Sequence, residues 1–97
     1  MRAESLLQPN SDMECYLTGS QAQLDVHHVF GGVANRKLSD KYGCWVWLKH
    51  SIHMDLHDRH KDVDKMLKRE CQKAFEAKYS HKEFMEIFGK NYLREDD

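Results

Sequence analysis

The spacing of apolar residues changes along this chain, and each change marks an element. Around Leu24, Val26 and Val29, apolar and polar positions alternate in the manner of a short, half-buried strand. Gly31-Gly32 ends it, since glycine takes backbone angles that other residues resist. Val33 to Tyr42 is polar and basic and reads as a loop, or a loop with one helical turn. Gly43 then opens Cys44-Trp45-Val46-Trp47-Leu48, an aromatic and β-branched run of strand length. Ser51 is a suitable N-cap for a helix starting at Ile52 and carrying His53 and His57.

From Asp62 the period becomes helical. Val63, Met66, Leu67, Ala74, Phe75 and Tyr79 fall on one stripe with Cys71 near it, which predicts a helix over about 62–79. Ser80-x-x-Glu83 is a capping-box signal for a second helix over about 81–88. Phe84, Ile87 and Phe88 form its apolar face and Gly89 its stop. Tyr92 and Leu93 are expected to fold back on the core. Upstream, Met13 to Leu17 reads as a short strand before the turn Thr18-Gly19-Ser20. Residues 1–12, with the single proline Pro9, read as a loose arm, and residues 94–97 as a frayed tail. The expected class is α+β: a short antiparallel hairpin and a site helix on C-terminal helices, in one domain over 13–93 with its centre at about 24–60.

Composition narrows the function classes. A chain of 97 residues buries a modest core, so a bound metal would add useful stability. The formal net charge of −1 argues against a strongly basic nucleic-acid coat and leaves room for a local stripe. No run approaches the roughly 18 apolar residues of a membrane span, and the N-terminus lacks a signal-peptide core, so the expected location is cytoplasmic. Cys15, Cys44 and Cys71 are odd in number and lack paired spacing, which predicts buried free thiols.

The candidate chemistry lies between Leu24 and His60, which holds six of the seven histidines. His53 and His57, four apart on a helix, put two imidazoles on one face, where they can grip one divalent metal. A third ligand must come from elsewhere, and His27 or His28 is the source. Neighbours on an ideal strand point to opposite faces, so both can serve one site only where the strand ends or bends. One imidazole then ligates, and the other takes a proton from water, for which a pKa of about 6.5 suits histidine. Asp25 shares a strand face with His27 and is a candidate to orient it; His50, at the helix entrance, is a supporting group or alternative ligand. His60 reads as a solvent or phosphate contact and His81 as an exposed first-turn residue. At least one of Trp45 and Trp47 is expected in the core rather than stacking on bases. Arg36, Lys37, Lys41, Lys49, Arg59 and Lys61 surround the site in sequence and are candidate phosphate contacts.

His27-His28 followed by Gly31-Gly32, then a helix with His53-Met54-Asp55-Leu56-His57, resembles the HNH, or ββα-metal, nucleases and in motif the colicin-type DNases. Across roughly residues 13–93 the chain also looks like small phage-encoded HNH proteins. The matching motifs are Cys15-Tyr16-Leu17-Thr18-Gly19, the run from His27 to Gly32, and the run from Phe88 to Tyr92. The phage recombination-enhancement nucleases look like more distant relatives. The resemblance implies a metal-dependent endonuclease acting on DNA. In it His27, His53 and His57 hold one divalent metal (Mg2+, Mn2+, Ni2+ or Zn2+), and His28 is the general base. Asn35 is the one asparagine available for the family's middle position, which orients the base. Three imidazoles suit transition metals better than Mg2+. The alternative is a binding protein on the same scaffold that keeps the metal for structure and regulates a recombination or replication partner. A third reading is an accessory nuclease active only when such a partner delivers it to DNA.

Overall fold

The computed structural model describes residues 2–9, 13–56 and 58–93. Two five-residue strands, β1 (Leu24–His28) and β2 (Trp45–Lys49), pair antiparallel, with His27 opposite Val46 and His28 opposite Trp45. Side chains alternate across a strand. Asp25 and His27 therefore share a face with the buried Val46 and Leu48, while His28 shares the other with Trp45 and Trp47. Four helices complete the described fold: α1 (Val33–Tyr42), α2 (His50–Asp55), α3 (Lys61–Lys78) and α4 (His81–Phe88). The architecture is α+β, with a two-stranded antiparallel sheet as expected.

The segment expected as a loop is instead the ten-residue helix α1. Its inward row is short. Leu38 and Tyr42, four apart, are half-buried, and the fully buried residue between them is Ser39, whose hydroxyl donates to the Phe30 carbonyl at 3.1 Å. A buried polar residue with its own partner hides a helix from any apolar-period reading. Gly43 closes α1 in the left-handed conformation at φ 76°, donating its N–H to the Ser39 carbonyl. A Cβ there would run into the Glu4 carbonyl oxygen. Gly43→Ala is therefore expected to cost more than about 1 kcal/mol in a urea titration, since the residue combines a disfavoured φ with a close backbone neighbour. An unchanged midpoint would mean that the arm does not press on this turn.

The N-terminal arm is not loose over residues 2–9. β2 meets β1 along one edge only, and unpaired strand groups need partners. The arm supplies them. Leu6 donates its N–H to the Gly43 carbonyl at 2.9 Å, the Ser5 hydroxyl donates to the Trp45 carbonyl at 2.5 Å, and Gln8 Oε1 accepts from the Trp47 N–H at 2.8 Å. Ala3 donates to the Asp40 carbonyl and accepts from the Trp45 indole N–H, each at 2.7 Å. Met13 to Leu17 is not a strand either. It curls into turns closed by Gly19 N–H to Cys15 carbonyl at 2.8 Å and meets the sheet through Tyr16 N–H to the Trp47 carbonyl at 2.8 Å.

The C-terminal half follows its pattern. Leu67, Cys71 and Phe75 on α3 are fully buried at four-residue spacing, while Tyr79, expected on the same stripe, lies at the exposed end. The Ser80 hydroxyl accepts the Glu83 N–H at 3.1 Å and so caps α4. Phe30, directly after β1 and its neighbour Val29, sits among Phe84, Phe88 and Tyr92 at ring-centroid distances of 5.4, 4.6 and 5.1 Å. Buried Gln72 holds the fold-back of the last segment: its amide donates to Glu76 and Asn91 and accepts the Tyr92 N–H at 2.7 Å. All three cysteines are free and buried. The expected tail, 94–97, lies outside the described residues. Among those described, no helix is long and apolar enough to cross a membrane.

Candidate functional site

β2 runs into α2 without a loop. Lys49 is still extended, and His50 donates its N–H to the Gln23 carbonyl at 2.7 Å, so the helix starts at His50 and not behind a Ser51 cap. The early start turns His50 and His53 toward β1. Asp25 reaches across, and its Oδ2 accepts from Nδ1 of His50 at 2.7 Å and from Nδ1 of His53 at 3.0 Å. These bonds, His53's first and His50's second, hold the Asp25 carboxyl below the ordinary carboxylate range. A carboxylate accepts and does not donate, so each neutral ring carries its proton on Nδ1 and keeps a lone pair on Nε2. That is the tautomer a metal-binding imidazole needs.

His27 lies beside this clamp. Its side chain points to the buried face at 5% exposure, and its ring meets the His53 ring edge-on, with centroids 5.2 Å apart. The structure thus gathers His27, His53, His50 and Asp25. Asp25 was expected to orient His27; its carboxylate instead takes the two helix imidazoles. α2 ends at Asp55, and His57, the third expected ligand, lies outside the described residues. Near as His27, His53, His50 and Asp25 are, among the described residues no three or more His, Cys, Asp or Glu side chains form a group that could hold a metal ion.

His28 goes the other way. The strand does not bend to bring it round; it ends, and His28 is its last residue. Its Nε2 bonds Asp40 Oδ1 at 2.9 Å, and Arg2 Nε donates to the same oxygen at 2.9 Å. Burial raises the Asp40 carboxyl, but the hydrogen bonds from Arg2 and His28 outweigh it and leave the group below its ordinary value. The His28 side chain keeps 22% exposure, so it is neither sealed in nor fully open. Asn35 lies in the first turn of α1, while the contact to the His28 ring is made by Asp40, five residues further along that helix.

Asp40 and Arg2 are the two residues that sequence reasoning missed. Asp40 had a signal: read as a helix, residues 33–42 bring their last turn beside the strand pair. Arg2 had none, because the arm is fixed by backbone and amide bonds that leave no pattern.

Of the expected phosphate contacts, Arg36, Lys37 and Lys41 are exposed along α1, Arg59 and Lys61 are exposed before and at the start of α3, and Lys49 is half-buried. Trp45 and Trp47 are half-buried on the His28 face, their rings perpendicular at 5.6 Å, with the Arg2 guanidinium 5.4 Å from Trp45. The expectation that at least one of the tryptophans belongs to the core is not met; Val46 and Leu48 take that place. His60 precedes α3 as a half-buried residue, and exposed His81 pairs through Nδ1 with Glu76 at 2.7 Å. Comparison with protein-family models, curated proteins and solved structures finds no match to this chain.

Proposed function

We propose that this chain is a metal-dependent endonuclease of the HNH type, hydrolysing phosphodiester bonds in DNA, phage or prophage encoded and working in the host cytosol. The observation that carries the reading is the Asp25 clamp, which fixes two helix imidazoles with Nε2 available, beside the buried ring of His27. This donor set fits a divalent transition cation better than Mg2+. His27 and His53 would hold it, with His57 completing the set as the motif resemblance implies, and His50 as an alternative. A bound cation supplies charge to polarise a phosphate oxygen and to stabilise the leaving oxygen.

The chain's own residues do the rest. His27 and His28 are adjacent but face opposite sides of the sheet, so this reading puts the phosphodiester at the end of β1, where the strand stops. His28 takes the proton from the attacking water. Arg36, Lys37 and Lys41 on α1 hold neighbouring phosphates, with Lys49, Arg59 and Lys61 on the α2 side. Nothing in this arrangement reads base edges, so cleavage is expected to show little sequence preference.

One observation favours the alternative, a scaffold protein that binds a recombination or replication partner: His28 is engaged by Asp40 on the face away from His53. Plasmid nicking separates the two. Metal-stripped protein receives Mg2+, Mn2+, Ni2+ or Zn2+ in turn. Nicking with at least one of them supports the nuclease; binding without nicking supports the scaffold protein. In the same titrations Asp25→Ala is expected to weaken cation binding about 10–100-fold, the usual effect of removing a carboxylate behind a ligating imidazole. Equal affinity in the variant would remove His53 from the metal site.

A further inference from the structure

We infer that Asp40 is the positioning residue for His28, fixing its proton on Nε2 so that Nδ1 is the nitrogen that receives a proton from water, with Arg2 of the N-terminal arm holding Asp40 in place. This rests on the reading of His28 as the base. Three observations carry it. Asp40 Oδ1 bonds His28 Nε2, and a carboxylate is acceptor-only, so the neutral ring is protonated there. Arg2 occupies the same oxygen from the other side. The arm that presents Arg2 is itself pinned, through Ala3, to the Asp40 backbone and to the Trp45 indole.

The step balances as simple hydrolysis. An O–H bond of water breaks and its proton goes to His28 Nδ1. The oxygen forms the new bond to phosphorus. The bond from phosphorus to the leaving oxygen breaks, and that oxygen keeps the electron pair and takes a proton from solvent. Asp40 stays ionised throughout and gives the imidazolium a counter-charge.

The arrangement makes a distinctive prediction about asparagine. Arg2 and His28 bond the same oxygen, so in Asp40→Asn the amide oxygen held by Arg2 still accepts from His28 Nε2. The ring keeps its proton on Nε2 and loses only the counter-charge. Asp40→Asn should therefore be milder than Asp40→Ala, whose ring is released from its fixed tautomer. The anchor from Ala3 uses the Asp40 backbone carbonyl and survives either substitution.

The test has two readouts on full-length protein, with folding of each variant checked by thermal melting. Ring-nitrogen NMR at about pH 8.5, two units above the ordinary imidazole value, reads the His28 tautomer without any need for activity. Wild type and Asp40→Asn should show Nε2–H, and Asp40→Ala a mixture. Plasmid nicking at saturating cation should show kcat down about 10²-fold in Asp40→Ala with KM little changed, less far down in Asp40→Asn, and partly recovered in Asp40→Glu. An unchanged His28 tautomer in Asp40→Ala overturns the inference. A wild type that shows the Nε2–H tautomer and never cuts overturns the nuclease reading and leaves the positioning of His28 standing.

Discussion

His28→Ala is expected to lower plasmid nicking by about 10²–10⁴-fold, the usual contribution of a general base, with cation affinity unchanged. The separation follows from the register. His27 and His53 stand on the buried face of β1 and His28 on the other, so deleting the His28 imidazole leaves the clamp built by Asp25 untouched. The variant should also fold. His28 is partly exposed, and its partner Asp40 keeps the bond from Arg2. Nicking kinetics and cation titration on the same preparations give the answer. If His28→Ala cuts as wild type does, the proton is taken elsewhere and the Asp40 contact is structural. If it loses the cation along with activity, His28 belongs to the metal shell, and the two faces of the strand are closer in solution than the register allows. His53→Ala is the matching control, since it should lose both cation and cleavage.

The parts of this fold legible in the sequence are those where burial and period coincide. Leu67, Cys71 and Phe75 repeat every four residues and are buried, and Ser80 with Glu83 announced α4 through a cap that the structure contains. β1 and β2 were visible for the same reason. α1 was not, because its packing uses Leu38, Tyr42 and a buried Ser39, too few apolar positions for a period. The arm was invisible on different grounds: its contacts run from backbone groups and from Ser5 and Gln8 to the open edge of β2, and such bonds constrain composition hardly at all.

For the site, spacing put Asp25 and His27 on one strand face and His53 on the helix, residues that lie near one another in the fold, while the choice of His27 over His28 as ligand came from the motif resemblance. Strict alternation also put His28 on the far face. Of the two ways left open for both histidines to serve one site, an end or a bend, the structure shows the end: the strand stays regular to His28 and stops there. Asp40 followed α1 into obscurity, since a carboxylate in a presumed loop has no direction.

Phe75→Ala carries the largest expected effect on stability. The Phe75 ring is fully buried and lies 5.4 Å from Phe84, 4.7 Å from Tyr79, 5.6 Å from Tyr42 and 6.0 Å from Phe88. It therefore joins α3 to α4 and to the last residue of α1. Truncation to alanine at such a position costs about 3–5 kcal/mol, against a total of about 5–15 kcal/mol for a domain of this size. Urea unfolding should show a much lower midpoint. A loss under 1 kcal/mol would mean that the ring cluster repacks and that α4 does not depend on this contact. The same variant also tests the metal site. A cation that binds only the folded chain adds about 2.7 kcal/mol at one hundred times its Kd, enough to offset much of the lost packing. Phe75→Ala should thus recover a large part of its stability on saturation, whereas Phe75→Ala combined with His53→Ala should recover little. Equal recovery in both would place the bound cation away from His53, while recovery in neither would show that the folded chain holds no cation strongly enough to matter.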